Sequence, residues 1–214
     1  MFSHFSVLRS KQPPVAAAGF SLVELIVSIG IMVLVLSIVI TQQGSFNSAV
    51  LLRSQAYEIA LTIRDAQLSA MSAINTGGST EDFSSVIGVH FDKASPNRYV
   101  VFIDSESGAT ANAFYNDGEQ FGVLGIIDNR FEIIDILDTN GNSVGGPGTG
   151  QVSITFERPD FDARFRETSG GSLIQTGQYD ILIQPKGSPA GSVCPLVRTV
   201  RVTATGQVSV LDCP

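Results

Sequence analysis

The stretch "AAAGFSLVELIVSIGIMVLVLSIVITQQ", residues 16–43, decides the fold because it is almost wholly apolar. From Phe20 to Ile40 the only charged residue is Glu24. As a helix, this run would be about 31 Å long, which matches the hydrocarbon core of a bilayer. The sequence therefore predicts a transmembrane helix that keeps one energetically costly carboxylate near its start.

The residues before this run have the wrong order for an ordinary secretory signal. The basic residues Arg9 and Lys11 and the small residues 16–19 all precede the apolar segment. A secretory signal peptide is cut after its apolar stretch. A cut after Gly19 would instead leave the helix at the N-terminus of the mature chain. Basic residues on this side predict a cytoplasmic N-terminus and an exported body.

The composition argues against one class of partner. The chain has 214 residues, enough for one domain and an anchor, with 13 Lys+Arg against 20 Asp+Glu and a net charge of −7. Both leader charges are basic, so the balance after Gly19 is 11 against 20, or −9. An acidic body argues against a broad basic surface, and we expect no direct nucleic-acid partner.

The six residues from Gly19 to Glu24, "GFSLVE", supply the most specific motif. The motif resembles the class III signal of type IV pilins and type II secretion pseudopilins: glycine, Phe or Met, three mostly apolar or hydroxyl residues, then glutamate. Every position matches, at the edge of an apolar helix. A simple signal anchor is the alternative.

The resemblance implies a role for each end of the motif. A dedicated peptidase would cut between Gly19 and Phe20 and then methylate the new amine of Phe20. Glu24 would pair with the Phe20 amine of a neighbouring subunit, and a buried carboxylate is tolerable when it meets such a cation. Alternatively, Glu24 could extend to the lipid headgroups, since it lies near the end of the segment.

Beyond the membrane segment the periodicity changes twice. Apolar residues at steps of three and four predict an amphipathic helix over 41–76, and alternating segments between turns predict antiparallel strands over 84–214. The expected fold is α+β and pilin-like: one long N-terminal helix, transmembrane in its first half (20–40), packed on a β-rich head. The predicted strands are 85–92, 98–104, 121–127, 131–137, 151–157, 162–167, 178–184, 196–204 and 207–211.

Several body segments narrow the resemblance further. "ALTIRDAQLSAMS", "IGVHFDKASPNRYVVFID" and "VRTVRVTATGQVSV" look like the GspH/FimT group of minor pseudopilins and minor type IV pilins. The long segments 105–120 and 138–150 exceed a compact version of that pattern, and their purpose is unassigned.

The two cysteines both lie close to the C-terminus. In an exported chain, Cys194 and Cys213 are expected to form a disulfide, with two free thiols as the alternative. With a turn at 204–206, the residue numbers of each facing pair in the last hairpin would sum to about 409–411. The cysteines would then lie nearly opposite each other, just beyond the paired strands.

Catalytic and metal sites find little support. His90 is the sole histidine after the leader, and in a strand it is expected to be a packed or half-exposed side chain rather than a general base. Asp138, Asn140 and Asn142 alternate like the first ligands of a calcium loop. Such a loop also requires a bidentate acid, and the position where it is expected holds Thr149 instead. A turn is the alternative for this loop. We expect no enzymatic activity and no cofactor, and assign no role to Arg158-Pro159-Asp160, Arg198 or Arg201.

Two functions are therefore compared. In the first, the chain is a minor pilin or pseudopilin in the inner membrane with its head outside the cytoplasm. Its expected partners are other subunits, the prepilin peptidase, the inner-membrane assembly machinery and membrane lipid. In the second, it is a signal-anchored binding module that does not polymerise.

Overall fold

One helix precedes nine strands within the residues that the structure describes. The computed structural model describes residues 19–72, 86–104, 112–122, 124–146, 148–167, 174, 177–189 and 196–212, and only the backbone of 41–46. The elements are α1 (Leu22–Met71), β1 (Val86–Asp92), β2 (Arg98–Asp104), β3 (Gly125–Ile126), β4 (Phe131–Leu137), β5 (Gln151–Phe156), β6 (Ala163–Arg166), β7 (Gln178–Pro185), β8 (Arg198–Thr203) and β9 (Val208–Leu211). The fold class is α+β, as predicted.

The chain divides into two units between Gly44 and Ser45. In the first unit, the segment Leu22–Ile40 of α1 has a mean hydropathy of 2.8 and no buried residue. Its large apolar side chains remain 46–74% exposed. By length and composition it can cross a membrane, which would cover this surface.

In the second unit, α1 buries one face. The buried residues recur at steps of three and four, which keeps them on one side of a helix. They are Leu52, Ala56, Ile59, Ala60, Ile63, Ala66 and Ala70. They share one core with strands of both sheets, including Phe91, Phe131, Phe156 and Tyr179.

The strands form two antiparallel sheets. Sheet A has the order β3-β2-β1-β5-β6, and sheet B has the order β4-β7-β8-β9. In β1, Ile87, Val89 and Phe91 belong to the common core. Because side chains alternate along a strand, Gly88 and His90 lie on the opposite face of sheet A.

All nine predicted strands are found in the structure, and one of them is much shorter than predicted. The pattern predicted a strand over 121–127, but β3 is only Gly125–Ile126. Gly122 has a φ of 73°, which breaks the extended conformation. The helix ends at Met71, close to the predicted end.

A β-bulge in β4 keeps a charged side chain out of the hydrophobic core. Strict alternation from Phe131 and Ile133 would point Asp135 inward. The pairing of β4 with β7 shifts between Ile133 and Asp135, and Ile136 becomes the next buried residue. The extra residue therefore turns Asp135 away from the core.

Asp135 pairs with a buried lysine instead. Lys93 Nζ lies 3.1 Å from Asp135 Oδ1, and the side chains are 3% and 30% exposed. Lys93 Nζ also donates to Ser143 Oγ at 2.9 Å, and Ser143 Oγ donates to Asp135 at 2.6 Å. This network ties the 138–150 segment to the turn after β1.

The unequal burial of this pair predicts unequal costs of removing each partner. Asp135→Ala leaves a buried ammonium without its counter-ion and should lower the free energy of unfolding by about 3 kcal/mol. Lys93→Met leaves a partly solvated carboxylate that keeps its bond from Ser143, so we expect a loss of about 1 kcal/mol or less. Denaturant unfolding of the full chain in detergent measures both, and equal losses would contradict this account.

Candidate functional site

The predicted cleavage point lies in open surroundings. No described atom lies within 4 Å of the position that a Gly19 Cβ would take, and Phe20 is 81% exposed. The helix begins at Leu22, and the amide of Leu25 donates to the Ser21 carbonyl oxygen at 3.1 Å. Gly19 and Phe20 therefore lie just outside the first turn, where backbone is accessible to another protein.

Glu24 lies in the first turn of α1 and is exposed. Its negative charge suits the positive end of the helix dipole. Within the described residues, no hydrogen bond or ion pair engages its carboxylate. In a membrane, burying this unpaired carboxylate would be costly unless it met a cation or reached the headgroups.

A second apolar surface lies on the outer face of α1 in the second unit. Val50, Tyr57, Leu61 and Leu68 are 45–65% exposed. Their spacing of seven, four and seven residues places them on one face, opposite the buried stripe. The sequence analysis followed only the buried stripe, although this spacing was readable beside it.

The 138–142 segment is a closed turn. Asp138 Oδ1 accepts hydrogen bonds from the amides of Asn140 and Asn142, both at 2.8 Å. Asp138 Oδ2 accepts from Asn142 Nδ2 at 3.1 Å. The bonds from Asn142, and then those from Asn140, hold the pKa of Asp138 below its usual value. These bonds form the turn that was the alternative interpretation, and the calcium hypothesis stays a prediction.

His90 is packed on the outer face of sheet A. Its Nδ1 is 2.9 Å from Ser153 Oγ, and its ring contacts those of Phe114 and Tyr115 at centroid distances of 5.1 and 5.2 Å. Burial lowers the pKa of His90 to about 4, and nearby Asp92 opposes this only in part. The expectation of a packed histidine is confirmed. It also borders a cavity of about 420 Å³ that Arg98, Gln120 and Gln151 help to line.

The low pKa of His90 predicts acid sensitivity of the second unit. The folded chain keeps the ring neutral, whereas the unfolded chain binds a proton below about pH 6.5. Stability is therefore unaffected above that pH and falls by about 3 kcal/mol as the pH drops to about 4. His90→Gln should remove this part of the pH dependence, because glutamine does not titrate. Parallel unfolding curves for both proteins between pH 7 and pH 4 measure it, and identical pH profiles would contradict it.

The arginines that received no role have structural partners. Arg201 makes two bonds of 2.7 Å to the carboxylate of Asp180 across β7 and β8. Arg198 donates to the carbonyl oxygen of Asp212 at 2.9 Å. Arg158 Nε donates at 3.3 Å to the carbonyl oxygen of Ala70, in the last turn of α1. These contacts hold strand and helix ends in place.

The terminal hairpin has the predicted register. Val200 faces Val210 and Arg201 faces Ser209, as a turn at 204–206 requires. Cys194 and Cys213 lie outside the described residues, so the disulfide stays a prediction.

Comparisons with protein-family models, with curated proteins and with solved structures found no match to this chain.

Proposed function

We propose that this protein is a structural subunit, a minor pilin or pseudopilin, of a type IV pilus or type II secretion pseudopilus. The observation that carries the proposal is a fully exposed, membrane-length apolar helix whose single charge, Glu24, lies in the first turn just after Gly19. An anchor alone needs no carboxylate there, and the carboxylate is costly in hydrocarbon.

In this proposal, assembly makes the Glu24 carboxylate tolerable in the membrane, because it brings a cation to it. Cleavage between Gly19 and Phe20 creates an ammonium group at the depth of Glu24. A neighbouring copy then supplies the cation that the described residues of one chain do not. The peptidase methylates Phe20, and the inner-membrane machinery inserts the processed helix among those of other subunits. The head remains outside the cytoplasm.

Fractionation of cells tests this function. The chain should appear in the sheared filament or pseudopilus fraction together with other subunits, and only when the assembly machinery is present. A Gly19→Val chain, whose branched side chain crowds the scissile bond, should retain its leader and stay in the membrane. A wild-type chain that never leaves the membrane fraction would overturn the proposal.

The polar cavity beside His90 favours one alternative, a signal-anchored binding module. Its lining of guanidinium, amide and carboxylate groups can bind a small polar ligand. A binding module predicts an intact leader and the same fractionation with or without the machinery. The two functions therefore give opposite results in the experiment above.

A further inference from the structure

An apolar groove runs between α1 and the edge strand β9 in the second unit. It has a volume of about 270 Å³, and its lining is Tyr57, Ala60, Leu61, Arg64, Val208 and Val210. A cavity of about 150 Å³ is enough to bind benzene, so the groove can take a phenyl ring.

Strand β9 leaves hydrogen-bonding groups along this groove. Its only described strand neighbour is β8, so its other edge has no strand partner within the described residues. Arg64 Nη2 donates to the Val208 carbonyl oxygen at 2.8 Å, which identifies Val208 as a residue whose backbone faces outward. By alternation, Val210 also turns its amide and carbonyl outward. A docked segment can therefore meet polar groups at the rim of an apolar floor.

The rim of the groove carries positive charge. Arg64 is exposed, and the guanidinium of Arg53 lies 5.6 Å from the centre of the Tyr57 ring. The hydrogen bond to Tyr57 and then the nearby charge of Asp212 raise the pKa of Arg53. The Asp212 carboxylate therefore offsets part of the positive charge at the rim. The positive charge that remains on Arg53 and Arg64 favours an occupant that combines an apolar side chain with carboxylates.

The chain itself carries such a segment before β6. Phe161 is 56% exposed and lies between the exposed residues Asp160 and Asp162. Within the described residues, no ion pair engages either carboxylate. Phe161 is not among the lining residues of the groove in its own chain.

The backbone of this segment is held in place. The Phe161 carbonyl oxygen accepts from Gln67 Nε2 at 2.7 Å, and the Ala163 amide donates to the Ala204 carbonyl oxygen at 2.9 Å. The exposed ring therefore projects from a fixed backbone, which lowers the entropy lost on docking.

We propose that Phe161 of one copy docks into the Tyr57–Val210 groove of another copy, with Asp160 and Asp162 beside its arginines. Groove and ring are different surfaces, so the contact can repeat from copy to copy. The contact goes beyond the proposed function and does not depend on it, because it uses only the second unit and an unprocessed chain would make it too.

Photo-crosslinking of the full-length chain in lipid vesicles tests this contact. Leu61→p-benzoylphenylalanine places the reactive group in the groove, and mixing isotope-labelled with unlabelled copies separates crosslinks between copies from those within one. We expect peptides that join position 61 of one copy to 159–164 of another. Phe161→Ala should lower their yield about tenfold or more, and Asp160→Asn with Asp162→Asn should also lower it.

Two matched variants serve as controls. Phe121→Ala removes another partly exposed phenylalanine and should leave the yield unchanged. The crosslinker at Glu58, an exposed position on the other flank of α1, should not reach 159–164. Crosslinks confined to one copy, crosslinks to other segments, or a yield that Phe161→Ala does not change would each overturn the proposal.

Discussion

Glu24→Gln is expected to abolish incorporation into filaments while leaving the chain in the membrane. The amide keeps the shape of the side chain and removes only its charge. The Phe20 ammonium of the adjacent copy would then lie in hydrocarbon without a counter-ion. Leaving one partner of such a pair unmatched costs several kcal/mol, so incorporation should fall about a hundredfold or more.

Ser28→Ala provides the matched control for Glu24→Gln. It removes a polar group one helical turn further along the same exposed segment and should leave incorporation unchanged. The quantity measured is the ratio of filament-associated to membrane-associated chain. If Glu24 merely extends to the headgroups, the glutamine variant will assemble like the wild type, and that result would refute the pairing.

Ile63→Ala is expected to lower the free energy of unfolding by about 3 kcal/mol, the usual range for a fully buried isoleucine being about 2–5 kcal/mol. Ile63 has no exposed surface and packs in the core that α1 shares with both sheets. Its truncation leaves a cavity that the surrounding side chains fill only in part.

Leu61→Ala, two residues earlier, is the control for this loss. Leu61 is 65% exposed, so its truncation should change stability by no more than about 0.5 kcal/mol. Denaturant unfolding of the full chain in detergent measures both variants. Comparable losses at the two positions would contradict the exposed position of Leu61 on the outer face of α1.

Much of the fold was readable because its elements carry strong local signals. The buried face of α1 follows helical spacing from Leu52 to Ala70, and alternation located the nine described strands, although β3 is much shorter than its predicted segment. The register of the last hairpin followed from the position of its turn. In each case the pattern depends on the chain's own neighbours, so no knowledge of distant residues was needed.

Features that depend on distant residues were not readable. The sequence "FEIIDIL" gives no sign of the bulge that excludes Asp135 from the core, because its partner Lys93 lies in the turn after β1, 42 residues earlier in the chain. The second layer over sheet A, in which Phe114 and Tyr115 cover His90, likewise depends on packing between segments far apart in the chain. The groove beside β9 could not be predicted from the sequence, because its existence depends on the order of the strands in sheet B.

The candidate assembly site was predicted neither from a local pattern nor from contacts between distant residues. Gly19, Phe20 and Glu24 were selected by a sequence resemblance, and the structure adds that they are exposed at the start of an uncovered apolar helix. The roles proposed for them depend on a peptidase and on a second copy, so one folded chain cannot display them. The calcium interpretation of 138–142 came from spacing alone and stays a prediction, and the described bonds to Asp138 are those of a turn.

The mass of the intact chain, extracted from membranes of cells that make the filaments, tests the central claim most directly. The claim is that cleavage creates the cation which makes an acidic side chain tolerable in lipid. We predict a chain that begins at Phe20 and carries one added methyl group. A chain that still begins at Met1 would contradict it.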